Sequence, residues 1–337
     1  MKNWIDNHFS TFNGSIFLAK GNDVLVNKGY GFADKEKKSE NSSETRFMIA
    51  SISKIFTATA IIQLYDKGML NINEPVNNYL DINSLEEDIK IIHLLNHTSG
   101  LKNFVMCRKA FNLNEENKPI NIAKKICDMK RNFKAGEKFA YNNTGYLMLA
   151  LIVEKVSQVK YEDFIMQNIF LPLKMNNSSF VSIINDDYAK GHKNGKKTPL
   201  FHATAFFGSG DILSTTGDLH KFIVGLNDGK LINKPLIEEM QKIHAQNTIL
   251  KYGYGFGFII TDKLGETSVG HSGSIPGGYA TQLCFYPKSD LVIIVLCNDI
   301  KNVKRVIPGM LTAQYIERSI YERITGEKIS TMQKIMP

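Results

Sequence analysis

The chain has 337 residues, 43% hydrophobic and 22% charged, which excludes a disordered or fibrous protein and allows a large buried core. Its 41 Lys+Arg against 33 Asp+Glu leave a net charge of +8, yet the basic residues fall singly or in short groups such as Lys124-Lys125, without an aromatic ladder. That pattern points to a solvated surface and away from a nucleic-acid partner.

Taken in order, residues 1–6 carry no apolar leader, so the expectation is an unexported, cytoplasmic chain. Residues 3–12 suit a short amphipathic helix. Residues 15–20, the turn Gly21-Asn22-Asp23 and residues 24–28 read as a β-hairpin. A helix over 52–67, apolar on nearly every side, has the character of a central buried helix. From 70 to 250 the pattern is largely helical, with helices expected over 91–96, 121–129, 144–156, 161–169 and 217–226, the last capped by Thr215 with Asp218 three residues on. Strand signals return at 253–261, 266–269, 278–285 and 291–298, and a closing helix is expected over 306–324. The longest unbroken apolar runs, 147–153 and 291–297, are too short to span a bilayer, so no integral membrane segment is expected. Strands at both ends imply an α+β fold, an α/β/α sandwich in one domain, 1–337. Segments 1–69 and 251–337 build one antiparallel sheet flanked by helices, and 70–250 forms an inserted, mainly helical lobe.

Cys107, Cys127, Cys284 and Cys297 lack metal or redox spacing. Pairing about the turn at 287–290 sets Cys284 near Ile293 and Cys297 near Ala280. The two sulfurs are then on the order of 13 Å out of register, and reduced thiols are expected.

Three clusters carry chemistry. Ser-x-x-Lys occurs at Ser51/Lys54, Ser99/Lys102 and Ser157/Lys160, but only Ser51 opens a buried helix, with Lys54 one turn away on the same face. A serine hydroxyl is a weak nucleophile until a neighbouring base takes its proton, and a helix start favours developing negative charge. Tyr141-x-Asn143 precedes an apolar helix. Its phenol can pass protons and its amide can bind a carbonyl or N–H, although Asn143 or Thr144 can equally serve as the helix cap. In His271-Ser272-Gly273-Ser274, glycine permits close approach to a ligand and the Ser274 N–H can join that of Ser51 in an oxyanion hole; a plain β-turn also fits. No Gly-x-Ser-x-Gly elbow is present, Gly253-x-Gly255-x-Gly257 lacks dinucleotide spacing, and His93/His97 lack the glutamate of a zinc protease, which leaves them a structural role.

Together and in this order, Ser51-x-x-Lys54, Tyr141-x-Asn143 and His271-x-Gly273 resemble the motifs of the serine β-lactamase and penicillin-binding-protein superfamily, in its class C-like branch. That branch also holds D-Ala-D-Ala carboxypeptidases, D-aminopeptidases and β-lactamase-like esterases. The stretches Ile92 to Leu101, Gly208-Ser209-Gly210 with Ser214-Thr215, and Tyr252 to Gly257 are similar too, so the resemblance runs from about residue 14 to 298. It implies a β-lactamase/transpeptidase-like fold and an acyl-enzyme on Ser51, with Lys54 and Tyr141 exchanging its proton. Asn143, His271, Ser272, Gly273 and Ser274 would hold the substrate and its oxyanion, with no metal or cofactor. The expected substrate is a small ester or a D-amino-acid amide or peptide; a true β-lactamase and a non-catalytic penicillin or peptidoglycan sensor are the alternatives. Many members carry lysine where this chain has His271. A histidine titrating near 6.5 would make turnover of carboxylate substrates change between about pH 5.5 and 7.5.

Overall fold

The computed structural model describes residues 1–183, 186–262, 265–300 and 310–330. Eight antiparallel strands form the central sheet: β1 (Gly14–Lys20), β2 (Asp23–Tyr30), β3 (Ala245–Asn247), β4 (Tyr252–Tyr254), β5 (Ile259–Thr261), β6 (Ser268–Ile275), β7 (Tyr279–Tyr286) and β8 (Leu291–Cys297). Their spatial order is β3-β4-β5-β6-β7-β8-β1-β2, so the two ends of the chain meet where β8 pairs with β1.

Alternation across β8 explains its continuous apolar run, because both sheet faces are covered. Val292, Ile294 and Leu296 enter the main core, which includes α2 (Ser53–Asp66), α3 (Asn143–Ser157) and α4 (Thr216–Asn227). Ile293, Val295 and Cys297 join a second core with Ile5 of α1 (Lys2–His8) and Ala313, Ile316 and Ile320 of α5 (Met310–Thr325). The result is the expected α/β/α sandwich. Residues 306–309 of the expected closing helix lie outside the described residues.

Several boundaries differ from expectation. The strand expected over 253–261 is a hairpin, β4 and β5, broken at Gly255 and Gly257. A Cβ on Gly255 would sit 2.1 Å from the Met240 carbonyl, and Gly257 has φ +83° against α2. β3 places residues 245–247 in the sheet, ahead of the expected junction at 251, and α4 packs on β1 and β8 although it falls within the 70–250 lobe. The helix expected over 161–169 is α-helical at Tyr161–Ile165 and continues as a π-helical turn, Met166–Phe170. Cys284 does pair with Ile293 and Cys297 with Ala280, and none of the four cysteines is in a disulfide. No helix among the described residues is long and apolar enough to cross a membrane.

Candidate active site

Ser51 lies in the 3-10 turn Ala50–Ile52 that leads into α2. Ala50 enters this turn at φ +53°, a left-handed conformation costing an alanine about 1 kcal/mol. Packing against the sheet holds it there. Thr281 of β7 donates to the Ile49 carbonyl at 2.8 Å, and a Cβ on Gly273 would lie 2.8 Å from both the Ala50 Cβ and the Ile49 oxygen. Gly273 therefore permits close approach to the chain's own Ser51 turn, where the sequence suggested approach to a ligand.

Lys54, in the first turn of α2 and three residues on from Ser51, has no exposed surface. Its Nζ lies 3.2 Å from Ser51 Oγ and donates to the Ser209 carbonyl at 2.8 Å. Burial brings its pKa down from 10.5 to about 7, while the charge of Asp211 opposes that fall. The Tyr141 phenol faces Ser51, whose hydroxyl favours the ionised phenol against the larger effect of burial, and the Lys54 amine sits 5.0 Å from the Tyr141 ring centre. Burial pushes this phenol well above its usual pKa. Ser51 is thus flanked by an amine able to lose its proton near neutrality and a phenol that keeps its own. The other two Ser-x-x-Lys copies differ in kind: Ser157 Oγ donates to the Val153 carbonyl at 2.6 Å, and Lys102 Nζ binds Asn132.

Asn142 caps α3, where Asn143 or Thr144 was the expected cap. Its Oδ1 accepts from Thr144 N at 2.7 Å, its Nδ2 donates to the Leu101 carbonyl at 2.6 Å, and its own N–H donates to His97 Nδ1 at 3.2 Å. Clamped there, it sets Tyr141 and Asn143 on either side of itself, and Asn143 lines the cleft with Ser51 and Ser274. His97, at φ +62° and buried against the Tyr141, Tyr146 and Tyr254 rings, supports the Tyr141 segment, in keeping with the structural role read from its spacing with His93. Val105, Leu113, Phe201, Phe206, Ile275 and Pro276 make the remaining cleft wall apolar. Two of them come from residues 102–133, a segment with no legible specificity signal.

Of the anticipated substrate contacts, Asn143 and Ser274 line the cleft, Gly273 packs against the Ser51 turn, His271 lies beside the Tyr141 ring, and Ser272 faces away. Ser272 is buried on the other side of the sheet, in a small cavity with Gln314, Glu317 and Arg318 of α5. Alternation along β6 puts it on the face opposite Gly273. His271 is 2% exposed, with Nε2 3.1 Å from the Tyr254 hydroxyl and Nδ1 against the Ser272 carbonyl. The carbonyl requires a proton on Nδ1, so Nε2 accepts from Tyr254 and both ring nitrogens are occupied. Burial, reinforced by the charge of Lys54, lowers its pKa to about 3. A pKa lowered this far argues against the change in turnover between about pH 5.5 and 7.5 expected from titration of His271.

This geometry, with a seryl oxygen beside an amine and a phenol against the middle strands of an antiparallel sheet, defines the serine hydrolases of the β-lactamase fold. Residues 5–314 match the sequence family described as Beta-lactamase, and the chain belongs to that family. A penicillin-binding protein of Bacillus subtilis (strain 168) is 32% identical over 312 residues, spanning 85% of this chain and 68% of that protein. Among solved structures, the octameric penicillin-binding protein homologue from Pyrococcus abyssi superposes with a TM-score of 0.82 at 29% identity, covering 100% of this chain and 78% of that one. The D-amino acid amidase from Ochrobactrum anthropi SV3, at 21% identity, shares the fold with a TM-score of 0.82 over 96% of this chain and 97% of its own.

Proposed function

We propose that the protein hydrolyses small apolar esters or D-amino-acid amides that lack a free carboxylate, through an acyl-enzyme on Ser51. The placement of Ser51 Oγ beside Lys54 and Tyr141 carries this reading. Neutral Lys54 takes the Ser51 proton as the oxygen adds to the substrate carbonyl. The resulting oxyanion is held by the Ser51 and Ser274 N–H groups. The proton then passes through the Tyr141 hydroxyl to the leaving alcohol or amine, leaving the acyl-enzyme for water to cleave. A pKa near 7 supports Lys54 as the base, and the elevated pKa of Tyr141 suits a relay that stays protonated. Asn143 orients the acyl side chain.

Substrate class follows from what the cleft offers. A neutral, fully engaged His271 supplies no cation for a substrate carboxylate, and the apolar wall favours a hydrophobic acyl group without one. The D-amino acid amidase neighbour supports amides as well as esters.

The test is intact-mass spectrometry of the enzyme over time with a short-chain p-nitrophenyl ester, D-phenylalanine amide, a D-Ala-D-Ala peptide and penicillin. The ester and the amide should turn over with transient acylation of Ser51, and Ser51→Ala should lower turnover by at least about 10³-fold. Wild-type turnover in Ser51→Ala would end the proposal. One equivalent of a stable penicillin adduct with no ester or amide turnover would favour the sensor reading.

A further inference from the structure

Asp211 stands two residues on from Ser209, whose carbonyl receives the base, and is 4% exposed. Its Oδ2 accepts from Gly208 N–H at 2.9 Å, closing a turn whose middle carbonyl, Ser209 O, receives Lys54 Nζ. The turn is fastened to α2 at two more points: Thr57 Oγ1 donates to the Gly208 carbonyl at 2.7 Å, and Ile212 N–H donates to Ser53 Oγ at 3.3 Å. The other carboxylate oxygen, Oδ1, is buried without a hydrogen-bond partner, so hydrogen bonding within the turn does not account for a charged group here. Alanine-sized side chains would fill such a position at lower cost.

We propose that Asp211 is a positioning residue for Lys54: its carboxylate shapes the turn that presents Ser209 O and is the counter-charge for the ammonium formed when Lys54 takes the Ser51 proton. The inference rests on Lys54 acting as the base. Among the described residues, Asp211 is the carboxylate whose charge reaches Lys54. The other titratable groups around the pair are Tyr141 and Tyr146 beside the amine, His97, His271 on β6, and Tyr161 and Glu162 on the far side of Asp211. Both histidines are depressed by burial and by the Lys54 charge, so neither supplies a cation. Burial raises the Asp211 pKa to about 7, near that of Lys54, and each group's charge favours the ionised form of the other.

The experiment is the pH profile of kcat/KM for p-nitrophenyl ester hydrolysis by wild type and Asp211→Asn. Asparagine keeps an acceptor for Gly208 N–H and removes the charge. Without that charge Lys54 loses its proton more easily, so the acid limb should move down by about 1 pH unit. A limb that stays in place in a folded, active Asp211→Asn enzyme overturns the proposal. Aspartate-labelled ¹³C NMR provides a second measurement should Asp211→Asn fail to fold. The Asp211 carboxyl should titrate near neutrality and move upward in Lys54→Met, and an unmoved titration overturns the proposal too. A wild type that is never acylated at Ser51 refutes the hydrolase reading instead, and the NMR titration distinguishes that outcome.

Discussion

Lys54 has no exposed surface, and water is what normally stabilises an ammonium. Two short contacts, to Ser51 Oγ and Ser209 O, do not replace that hydration, so the site trades stability for a base that works near neutrality. The trade has a sign. The folded-state pKa is about 7 and the unfolded value 10.5, so between them the unfolded chain binds a proton that the native state releases. Stability therefore rises with pH across that window, and the penalty is complete below about pH 7. Lys54→Met should stabilise the protein at pH 6 by roughly 5 kcal/mol, with the gain shrinking toward zero as the pH approaches 10.5. Urea unfolding at pH 6, 8 and 10 measures it; a constant difference across the three would mean the gain comes from packing alone. At this scale Ser51, Lys54 and Tyr141 were legible because each stands in a spaced motif. Asp211 and His97 were not placed at the site, because what distinguishes them is burial beside Lys54 and Tyr141, and those neighbours lie far away along the chain.

The Ser51 turn and strand β6 are one structural unit, joined at Gly273. Any Cβ there would lie 2.3 Å from Thr281 Oγ1 and 2.8 Å from the Ala50 Cβ, and neither a strand hydroxyl already bonded to Ile49 O nor a backbone-fixed methyl can move aside cheaply. Gly273→Ala should push β6 away from Ser51 and displace the Ser274 N–H from the cleft, lowering kcat by about 10²-fold with KM changed far less. Steady-state kinetics with the ester decide it; a wild-type kcat would show that the strand and the turn are not coupled. Elements with strong local signals were legible: the Gly21-Asn22 hairpin, with Gly21 at φ +57°, the pairing of β7 with β8, and the Thr215 cap, whose Oγ1 accepts from Asp218 N–H at 3.1 Å. β3 was not, because Ala245-Gln246-Asn247 is a polar edge strand with no buried face to impose alternation. The α3 cap fell one residue from expectation because three successive residues, Asn142, Asn143 and Thr144, all carry capping side chains. Contacts to Leu101 and His97 select the first.

Across the whole molecule, one sheet separates two apolar layers, and α5 closes the layer remote from the cleft. Helix α5 brings Glu317 under the sheet with no exposed surface, held by the Tyr286 hydroxyl on one oxygen and with Arg318 Nε 3.8 Å from the other. Burial outweighs the arginine and raises this carboxyl from 4.5 to about 7. The linkage runs opposite to that of a surface ion pair. Between pH 4.5 and 7 the native state holds a proton that the unfolded chain has lost, so stability falls as the pH rises through that window. Glutamine accepts the same tyrosine hydrogen bond without a charge. Glu317→Gln should match wild type near pH 4.5 and exceed it by roughly 2–3 kcal/mol above pH 7.5, with an unchanged urea m-value. The helix lies on β6, β7 and β8, so the gain should appear in the single unfolding transition of the sheet. A difference confined to a separate, earlier transition would mean that α5 unfolds independently, and an equal difference at both pH values would mean that Glu317 is ionised in the folded protein throughout.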